Sequence, residues 1–180
     1  MQALNKSLPE LTHPDGDRDV LRFVSSSPEE TRLLGESLSH VAFPGMYVLL
    51  YGDLGTGKTE FVRGFARGAG WNEVRSPSFT IVNEYPSDPM IVHVDLYRVE
   101  TGSSAEFDID EYSSEGRVIL IEWADRWKVP PFLEALVARF FSTEDQSIRI
   151  IEILCRGESA CESLNSFSSR LQELKKGSGH

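Results

Sequence analysis

The most specific chemical spacing in this chain is that of two glycines, Gly52 and Gly57, followed at once by Lys58 and Thr59. This spacing is typical of loops whose backbone N–H groups surround a chain of phosphates. Glycine lets such a loop adopt positive φ angles and approach the phosphates without a Cβ in the way. Lys58 would set a cation against the two outer phosphates, and Thr59 would offer its hydroxyl to a magnesium ion. The pattern therefore predicts a nucleoside triphosphate site.

The residues on either side of this loop predict the elements that must position it. Residues 46–51 form an apolar run that is typical of a buried parallel strand. Residues 59–67 place Phe61 and Phe65 one helical turn apart on an apolar face. A strand, a glycine loop and a helix in this order direct several N–H groups and a helix N-terminus at one polyphosphate. We therefore favour a phosphate-binding loop over a glycine-rich turn that precedes a lysine by chance.

Two acidic residues, Asp95 and Glu122, each end a further predicted strand. The ligand of an open α/β sheet lies at the carboxyl ends of its strands, so both acids are expected to face the nucleotide. A hydrolase of this class needs one acid to hold magnesium and one group to orient the attacking water. Glu122 follows the more continuous apolar run and is favoured for the metal, which leaves Asp95 to position water or to lie in the metal's outer shell. A solvated acid at a strand end is the alternative for each residue.

Four more residues are weaker candidates for the same site. His93 shares a strand face with Asp95, and a hydrogen-bonded histidine is favoured over a zinc ligand because no further ligands are apparent. Arg98 is predicted to contact phosphate or a partner, or equally to form a salt bridge. Trp123 is expected first to pack in the core and second to contact the nucleotide or a partner. Thr80 follows a hydroxyl-rich loop that fits a nucleotide-dependent switch and an ordinary turn equally well.

The composition predicts one cytoplasmic domain. The chain has 180 residues and is 40% hydrophobic, which suits a single domain with a substantial core. Its formal net charge of −10 argues against direct nucleic-acid binding, which usually needs a basic face. No apolar stretch of the sequence reaches the ~18 residues of a membrane span. Cys155 and Cys161 are expected to be free thiols rather than a disulfide.

The predicted organisation is a single α/β domain with short extensions at both ends. Residues 1–18 are predicted to form a flexible arm, 19–157 the P-loop domain, 158–176 a C-terminal helix and 177–180 a cloning remnant. The elements expected inside the domain are an edge strand at Val20–Val24, a helix from Pro28 to about Val41, strands at 79–85, 90–96 and 118–121, a mobile acidic connection at 100–116 with a single helical turn, and a hairpin of 136–141 with 148–154. Ser27 and Glu30 match a capping box at the start of the first helix.

Taken in order, four segments of the chain resemble the TsaE family, formerly YjeE, of small bacterial ATPases in tRNA threonylcarbamoyladenosine biosynthesis. The segments are Gly52–Thr59, Ser76–Tyr85, His93–Arg98 and Ile121–Trp123. The resemblance covers about residues 20–155, and the His-Val-Asp-Leu-Tyr-Arg and Glu-Trp elements together are more specific than the phosphate loop alone. The chain departs from the family pattern at residues 101–111, where Asp108 falls near a position at which glycine is common.

The resemblance implies a single P-loop NTPase domain with a mixed central sheet flanked by helices, and Mg-ATP as its ligand. The phosphates would be held by Asp53, Leu54, Gly55, Thr56, Gly57, Lys58 and Thr59. Thr59 and Glu122 would be the magnesium ligands, and Asp95 would be needed for hydrolysis, so the catalytic set is Lys58, Asp95 and Glu122. Thr80 would lie in a switch loop, and Ser25–Pro28 would border the adenine.

The resemblance also implies partners. These are TsaD and TsaB, the sugar-kinase-like subunits that install the modification beside the anticodon, and the chain would reach tRNA only through them. Hydrolysis would be slow in isolation and would drive the cycle of that complex, not the threonylcarbamoyl transfer itself. Two other readings of the phosphate loop stay open. One is a small-molecule or nucleotide kinase, which the lack of arginine between residues 99 and 116 disfavours, and the other is a nucleotide-gated binding module without useful catalysis.

Replacing Lys58 with alanine tests the placement of the phosphate loop. The change removes a charge-assisted contact to phosphate that is worth about 1.5–3 kcal/mol. The affinity for ATP should therefore fall at least about tenfold. Calorimetric titration of the folded variant measures this loss, and an unchanged affinity would show that the lysine does not face the phosphates.

Overall fold

The chain is built around one mixed β-sheet. A computed structural model describes residues 10–12, 20–74, 81–99, 109–127 and 134–177. The strands of the described residues are β1 (Glu10–Thr12), β2 (Val20–Ser25), β3 (Tyr47–Tyr51), β4 (Val82–Tyr85), β5 (Ile91–Asp95), β6 (Val118–Glu122), β7 (Ala135–Ser142) and β8 (Arg149–Arg156). Their helices are α1 (Pro28–Ser39), α2 (Lys58–Gly68), α3 (Ile109–Ser114) and α4 (Glu158–Gly177), and Ala124–Arg126 form a 3₁₀ turn. The strands lie in the order β1-β2-β8-β7-β3-β6-β5-β4.

The four central strands, β7, β3, β6 and β5, run parallel, and the outer strands join through antiparallel pairings. Parallel strands are covered on both faces, which explains why β3 and β6 are nearly continuous apolar runs. The predicted α/β fold with a mixed central sheet is confirmed. The parallel register ends β3, β5 and β6 at the same edge, which is also where the glycine loop begins.

Each face of the sheet buries its own apolar cluster. Helices α1, α2 and α4 contribute to the larger cluster, in which Leu50 of β3 joins Phe65 and Phe167. The smaller cluster on the other face contains Leu49 of β3 and Ile109 of α3. Successive side chains of a strand point to opposite faces, so neighbouring residues of β3 fall into different clusters. Packing on both faces therefore holds the central strands, and the loops at their ends, in a fixed position.

Helices α1 and α2 cross so closely that no side chain fits between them at two glycines. A Cβ on Gly64 would lie 1.9 Å from the carbonyl oxygen of Arg32, and one on Gly35 would lie 2.2 Å from that of Phe61. The Arg32 side chain also crosses to α2, where its guanidinium pairs with Glu60 at 2.5 Å. Because α2 starts at the glycine loop, this contact fixes the start of α2 against α1.

Helix α1 begins as predicted and ends earlier. The Ser27 hydroxyl accepts a hydrogen bond from the Glu30 N–H at 3.2 Å, while the Glu30 carboxylate accepts from the Ser26 N–H at 2.7 Å. In a standard capping box the glutamate accepts from the N–H of the N-cap residue. Here Glu30 accepts from the N–H of Ser26, the residue before the N-cap. The helix stops at Ser39, short of the expected end at Val41, because the Val41 N–H bonds to a carbonyl only three residues back and tightens the last turn.

The prediction that Val20–Val24 is an edge strand is wrong. Strand β1, from within the predicted flexible arm, pairs antiparallel with β2, so that Glu10 lies opposite Val24 and β1 is the edge. Strand β1 pairs with β2 through its backbone and has only 3 residues, too few for the alternation over about 4–8 residues that marks a strand in a sequence. In the predicted mobile connection, Ile109–Ser114 is helical and Ile109 is buried. Residues 100–108 of that connection lie outside the described residues.

The prediction of two free thiols is also wrong, because Cys155 and Cys161 form a disulfide. Cys155 lies at the end of β8 and Cys161 in the first turn of α4, and Gly157 reverses the chain between them with a φ of 91°. This turn brings the two Cα atoms to 4.9 Å, within the range of about 4.4–6.8 Å that a disulfide needs. The pairing follows from a turn that the spacing of the cysteines does not reveal.

Alanine at Gly64 should destabilise the fold even though alanine favours helices. Its helix propensity would add about 1 kcal/mol, but the clash with the Arg32 backbone should cost about 3 kcal/mol. The free energy of unfolding in urea should therefore fall by about 2 kcal/mol. Arg63→Ala is the control, because it places the same residue one position earlier and removes only a surface ion pair worth less than about 1 kcal/mol. A Gly64→Ala variant more stable than the wild type would contradict the close crossing.

Candidate active site

The glycine loop joins the end of β3 to the start of α2. Gly52, Gly55 and Gly57 have positive φ angles of 141°, 79° and 103°. A Cβ on Gly52 would also lie 2.6 Å from the Phe140 carbonyl oxygen, so this position admits only glycine. Gly57 is the N-cap of α2, and no side chain caps the helix there. The start of α2 is therefore suited to an anion that accepts from its N–H groups.

Of the remaining loop residues, one is buried and stabilises the turn, and three are exposed to solvent. Thr56 is buried, and its hydroxyl donates to the Asp53 carbonyl at 2.8 Å, which stabilises the turn. Asp53, Leu54 and Gly55 are exposed, and Leu54 is the most open large apolar side chain of the described residues at 73%. The loop thus keeps its shape through internal contacts while its outer residues face solvent.

Lys58 lies against the loop it follows. Its ammonium donates to the Gly52 carbonyl at 2.6 Å and the Asp53 carbonyl at 2.8 Å, and lies 4.0 Å from the centre of a Trp123 ring. Burial lowers the pKa of Lys58, and the charges of Glu122 and other nearby acids oppose this shift. The amine is therefore partly desolvated, and the loop carbonyls hold it in place without a bound ligand.

Thr59 and Glu122 meet at the start of α2. The Thr59 hydroxyl donates to Oε2 of Glu122 at 3.0 Å, and Glu122 is 3% exposed at the end of β6. Neighbouring oxygen ligands of an octahedral magnesium ion, each bound at 2.0–2.1 Å, lie about 2.9 Å apart. The oxygen types and their separation both fit a magnesium site, with the ion bound directly or through water.

Asp95 lies opposite Glu122 in the parallel register of β5 and β6. Its Oδ1 accepts a hydrogen bond from the Tyr97 N–H at 2.9 Å, which fixes the carboxylate at the strand end. Burial raises the pKa of Asp95, the Tyr97 N–H lowers it, and the neighbouring Glu122 charge raises it. The expectation that the two acids lie at adjoining strand ends is confirmed.

His93 is a hydrogen-bonded strand histidine, as predicted. Its Nε2 lies 3.0 Å from Oε1 of Glu122, and its Nδ1 lies 3.0 Å from the hydroxyl of Tyr85 on β4. The histidine is completely buried. Sequence reasoning gave Tyr85 no role at the site, although it ends the Ser76–Tyr85 segment, because only the antiparallel pairing of β4 with β5 brings it beside His93. In the described residues, no group of three or more His, Cys, Asp and Glu side chains is arranged to hold a metal ion.

An aromatic and cationic rim lies beside the acids. Trp123 has a φ of 59°, the one positive φ angle of a non-glycine residue in the described ranges, and it packs partly against the smaller core cluster. Its ring lies 4.9 Å from that of Tyr97, and the Arg126 guanidinium lies 5.3 Å from both rings. Arg126 also donates to the Tyr97 carbonyl. Sequence reasoning missed Arg126, whose place at the site depends on the turn at Trp123.

Two further contacts bring distant segments to the glycine loop. A Cβ on Gly57 would lie 3.6 Å from the Thr31 methyl group, and the Thr31 hydroxyl lies 2.8 Å from that of Ser25. The junction of β2 and α1, suggested as a border of the adenine, therefore adjoins the loop. Arg149, which pairs with Ser25 in the register of β8 and β2, also reaches the loop, where its Nη2 lies 3.5 Å from the Gly55 carbonyl.

The structure brings together most, but not all, of the candidate residues. Arg98 lies exposed in the turn after β5. Thr80 and the loop before it lie outside the described residues, so the switch prediction stays a prediction.

This combination of fold and site places the chain in the class of P-loop proteins with a mixed α/β sheet. A family model described as "Threonylcarbamoyl adenosine biosynthesis protein TsaE" matches residues 25–151. The chain belongs to the TsaE family, whose role lies in the biosynthesis of threonylcarbamoyladenosine in tRNA.

Relatives from distant bacteria agree with this assignment. A protein of Bacillus subtilis is 35% identical over 149 residues, which are 81% of this chain and 94% of the relative. A protein of Aquifex aeolicus is 38% identical over 109 residues, which are 58% of this chain and 77% of the relative. Both are named tRNA threonylcarbamoyladenosine biosynthesis protein TsaE. The crystal structure of YdiB from Bacillus subtilis has a TM-score of 0.68 at 28% identity and covers 89% of this chain and 97% of YdiB.

Asparagine at Asp95 should make the nucleotide-free protein more stable at neutral pH. Because burial raises the pKa of Asp95, the ionised carboxylate destabilises the folded state relative to the unfolded state, in which it is hydrated. This cost is present above the folded-state pKa, and it disappears as the pH falls through that value toward the ordinary pKa of about 3.9. The melting temperature of Asp95→Asn should therefore exceed that of the wild type at neutral pH, and the gap should close in acid.

Asp125→Asn is the matched control, because Asp125 is exposed in the 3₁₀ turn near the same acids. This variant should show no comparable gap. Equal melting temperatures of Asp95→Asn and the wild type at both pH values would contradict the burial cost assigned to Asp95.

Proposed function

We propose that the chain is a magnesium-dependent subunit that binds and hydrolyses ATP, and so supports the complex that forms threonylcarbamoyladenosine next to the anticodon of tRNA. The observation that carries this proposal is the contact of Thr59 with Glu122 directly after the glycine loop. It joins two oxygen ligands suited to magnesium to a helix N-terminus suited to phosphate.

The residues of the chain divide the binding of Mg-ATP among them. The loop 53–59 holds the phosphates through its N–H groups, and Lys58 places its ammonium against the two outer phosphates. Thr59 and Glu122 hold the metal, directly or through water. Magnesium, when bound, would neutralise the charge that develops on the phosphate oxygens as the terminal phosphoryl group passes to water and ADP leaves.

Asp95 is the group that positions the attacking water. Its carboxylate is fixed by the Tyr97 N–H and stands beside Glu122. Burial raises the pKa of Asp95, which makes it a better proton acceptor than an exposed aspartate. Lys58 supplies a positive charge to the same phosphate. The lysine, the metal-binding Glu122 and the water-binding Asp95 therefore surround one terminal phosphate.

The partners we propose are TsaD and TsaB, through which the chain acts on tRNA in the cytoplasm. A net charge of −10 suits docking on other proteins better than direct contact with an anionic RNA. No helix within the described part of the chain has the length and apolarity needed to cross a membrane. Hydrolysis is weak alone and is stimulated when the partners bind.

Replacing Glu122 with glutamine tests the proposed function. The change keeps the shape of the side chain and removes the negative charge that holds the metal. Because a bound metal contributes several kcal/mol to the transition state, ATP hydrolysis stimulated by TsaD and TsaB should fall by about 100-fold or more. Steady-state phosphate release measures this rate.

The control is Glu162→Gln, an exposed glutamate on α4 that should keep the wild-type rate. Full hydrolysis by Glu122→Gln would overturn the metal role. Wild-type turnover that is indifferent to TsaD and TsaB would overturn the partner assignment while leaving ATP hydrolysis in place.

A further inference from the structure

Three buried side chains form a hydrogen-bonded line across β4, β5 and β6. The Tyr85 hydroxyl lies 3.0 Å from Nδ1 of His93, and Nε2 of the same ring lies 3.0 Å from Oε1 of Glu122. All three residues are at most 4% exposed. Burying polar groups costs free energy unless they are hydrogen-bonded, and here each buried group is bonded to the next, up to a candidate metal ligand.

The groups at the two ends of the line indicate the direction of its hydrogen bonds. A carboxylate oxygen accepts, so the 3.0 Å contact with Oε1 of Glu122 points to a ring proton on Nε2 of His93. In that tautomer Nδ1 accepts a hydrogen bond from the Tyr85 hydroxyl. Burial raises the pKa of Tyr85 to about 12, so the phenol keeps its proton at neutral pH. The line runs from the Tyr85 hydroxyl through the imidazole to the carboxylate.

This arrangement fixes both oxygens of the Glu122 carboxylate. Oε1 is engaged by His93, while Oε2 faces the Thr59 hydroxyl at 3.0 Å. The imidazole ring is itself held, because Tyr85 engages its second nitrogen and the Tyr85 ring stacks on Trp71 at 6.4 Å. Rotation of the carboxylate would break both of its hydrogen bonds, so Oε2 stays directed at the start of α2.

We propose that His93 and Tyr85 are positioning residues of the magnesium site: they orient the Glu122 carboxylate toward Thr59 and thereby set the affinity of the site for the metal. This inference rests on the function proposed above and extends it to residues that do not touch the metal. Hydrogen-bond partners behind a metal ligand contribute about 10–100-fold to metal affinity.

The test compares variants that keep or remove the donor to Glu122. His93→Gln keeps an N–H at the position of Nε2, whereas His93→Leu fills the space without a donor. Tyr85→Phe keeps the ring beside Trp71 and removes the hydroxyl. For each folded variant, calorimetry gives the dissociation constant of ATP with magnesium and with EDTA, and the ratio of the two isolates the contribution of the metal.

The wild type should bind ATP more tightly with magnesium. His93→Leu should lose that gain, so that the ratio falls toward one. His93→Gln should restore much of the gain, and Tyr85→Phe should reduce it in the same direction as His93→Leu. The affinity in EDTA should be the same for all four proteins, because the glycine loop is untouched. If His93→Leu does not fold, Tyr85→Phe decides the outcome, because its magnesium gain should be smaller than that of the wild type.

The possible failures are distinguishable. A wild type that binds ATP equally well with magnesium and with EDTA would overturn the proposed function. A magnesium-dependent wild type matched by all the folded variants would leave that function in place and overturn the positioning role, reducing the line to a structural feature of the sheet.

A spectroscopic measurement on the unmodified chain is independent of ATP. Long-range ¹⁵N–¹H correlation spectra at neutral pH report which ring nitrogen of His93 carries the proton. We expect the Nε2–H tautomer in the wild type. An Nδ1–H tautomer would overturn the proposal, because the ring could not then donate to Glu122.

Discussion

The parallel register of β3, β5 and β6 is the constraint on which the site depends. It ends three buried strands at one edge, so that Leu50, Asp95 and Glu122 stand side by side. The chain leaves β3 directly into the glycine loop, which brings Thr59 to the Glu122 carboxylate. Helices and apolar clusters on both faces keep this register fixed. The chemistry of the edge therefore follows from the burial of the sheet.

The same edge gathers charges that burial would otherwise exclude. Lys58 and Glu122 are nearly inaccessible, and Asp95 stands beside them. Burial lowers the pKa of Lys58 and raises that of Asp95, so each charged form is less stable than it would be in water. The carbonyl groups of the loop and the ring of Trp123 offset part of that cost for the lysine. A site with one buried lysine and two neighbouring acids is suited to bind an anion and a cation together, the anion at the lysine and the cation at the acids.

Local sequence was enough to predict the loop, the strand and helix around it, and the two acids. Each of these depends on residues close together in the chain, and the spacing of Lys58 and Thr59 has a chemical reason of its own. The disulfide was missed because it depends on the turn at Gly157, and Tyr85 was missed because its place depends on how β4 pairs with β5. Strand β1 was missed because its pairing runs through the backbone. The errors fall where position is set by chain reversals and pairing, which the residue types alone do not encode.

The close crossing at Gly64 has a mechanical consequence. Backbone meets backbone there, so sliding α1 along α2 would bring the two backbones into collision, and the pair is expected to act as one rigid lever. One end of the lever is the start of α2 beside the acids, and the other is near Ser39 and Gly68, where the helices again come close. An 11-residue helix is about 16 Å long, so a tilt of ~5° at the loop displaces the far end by ~1.4 Å. A tilt of α2 at the phosphate loop would therefore carry α1 with it, and the displacement would be largest at the far end of the pair.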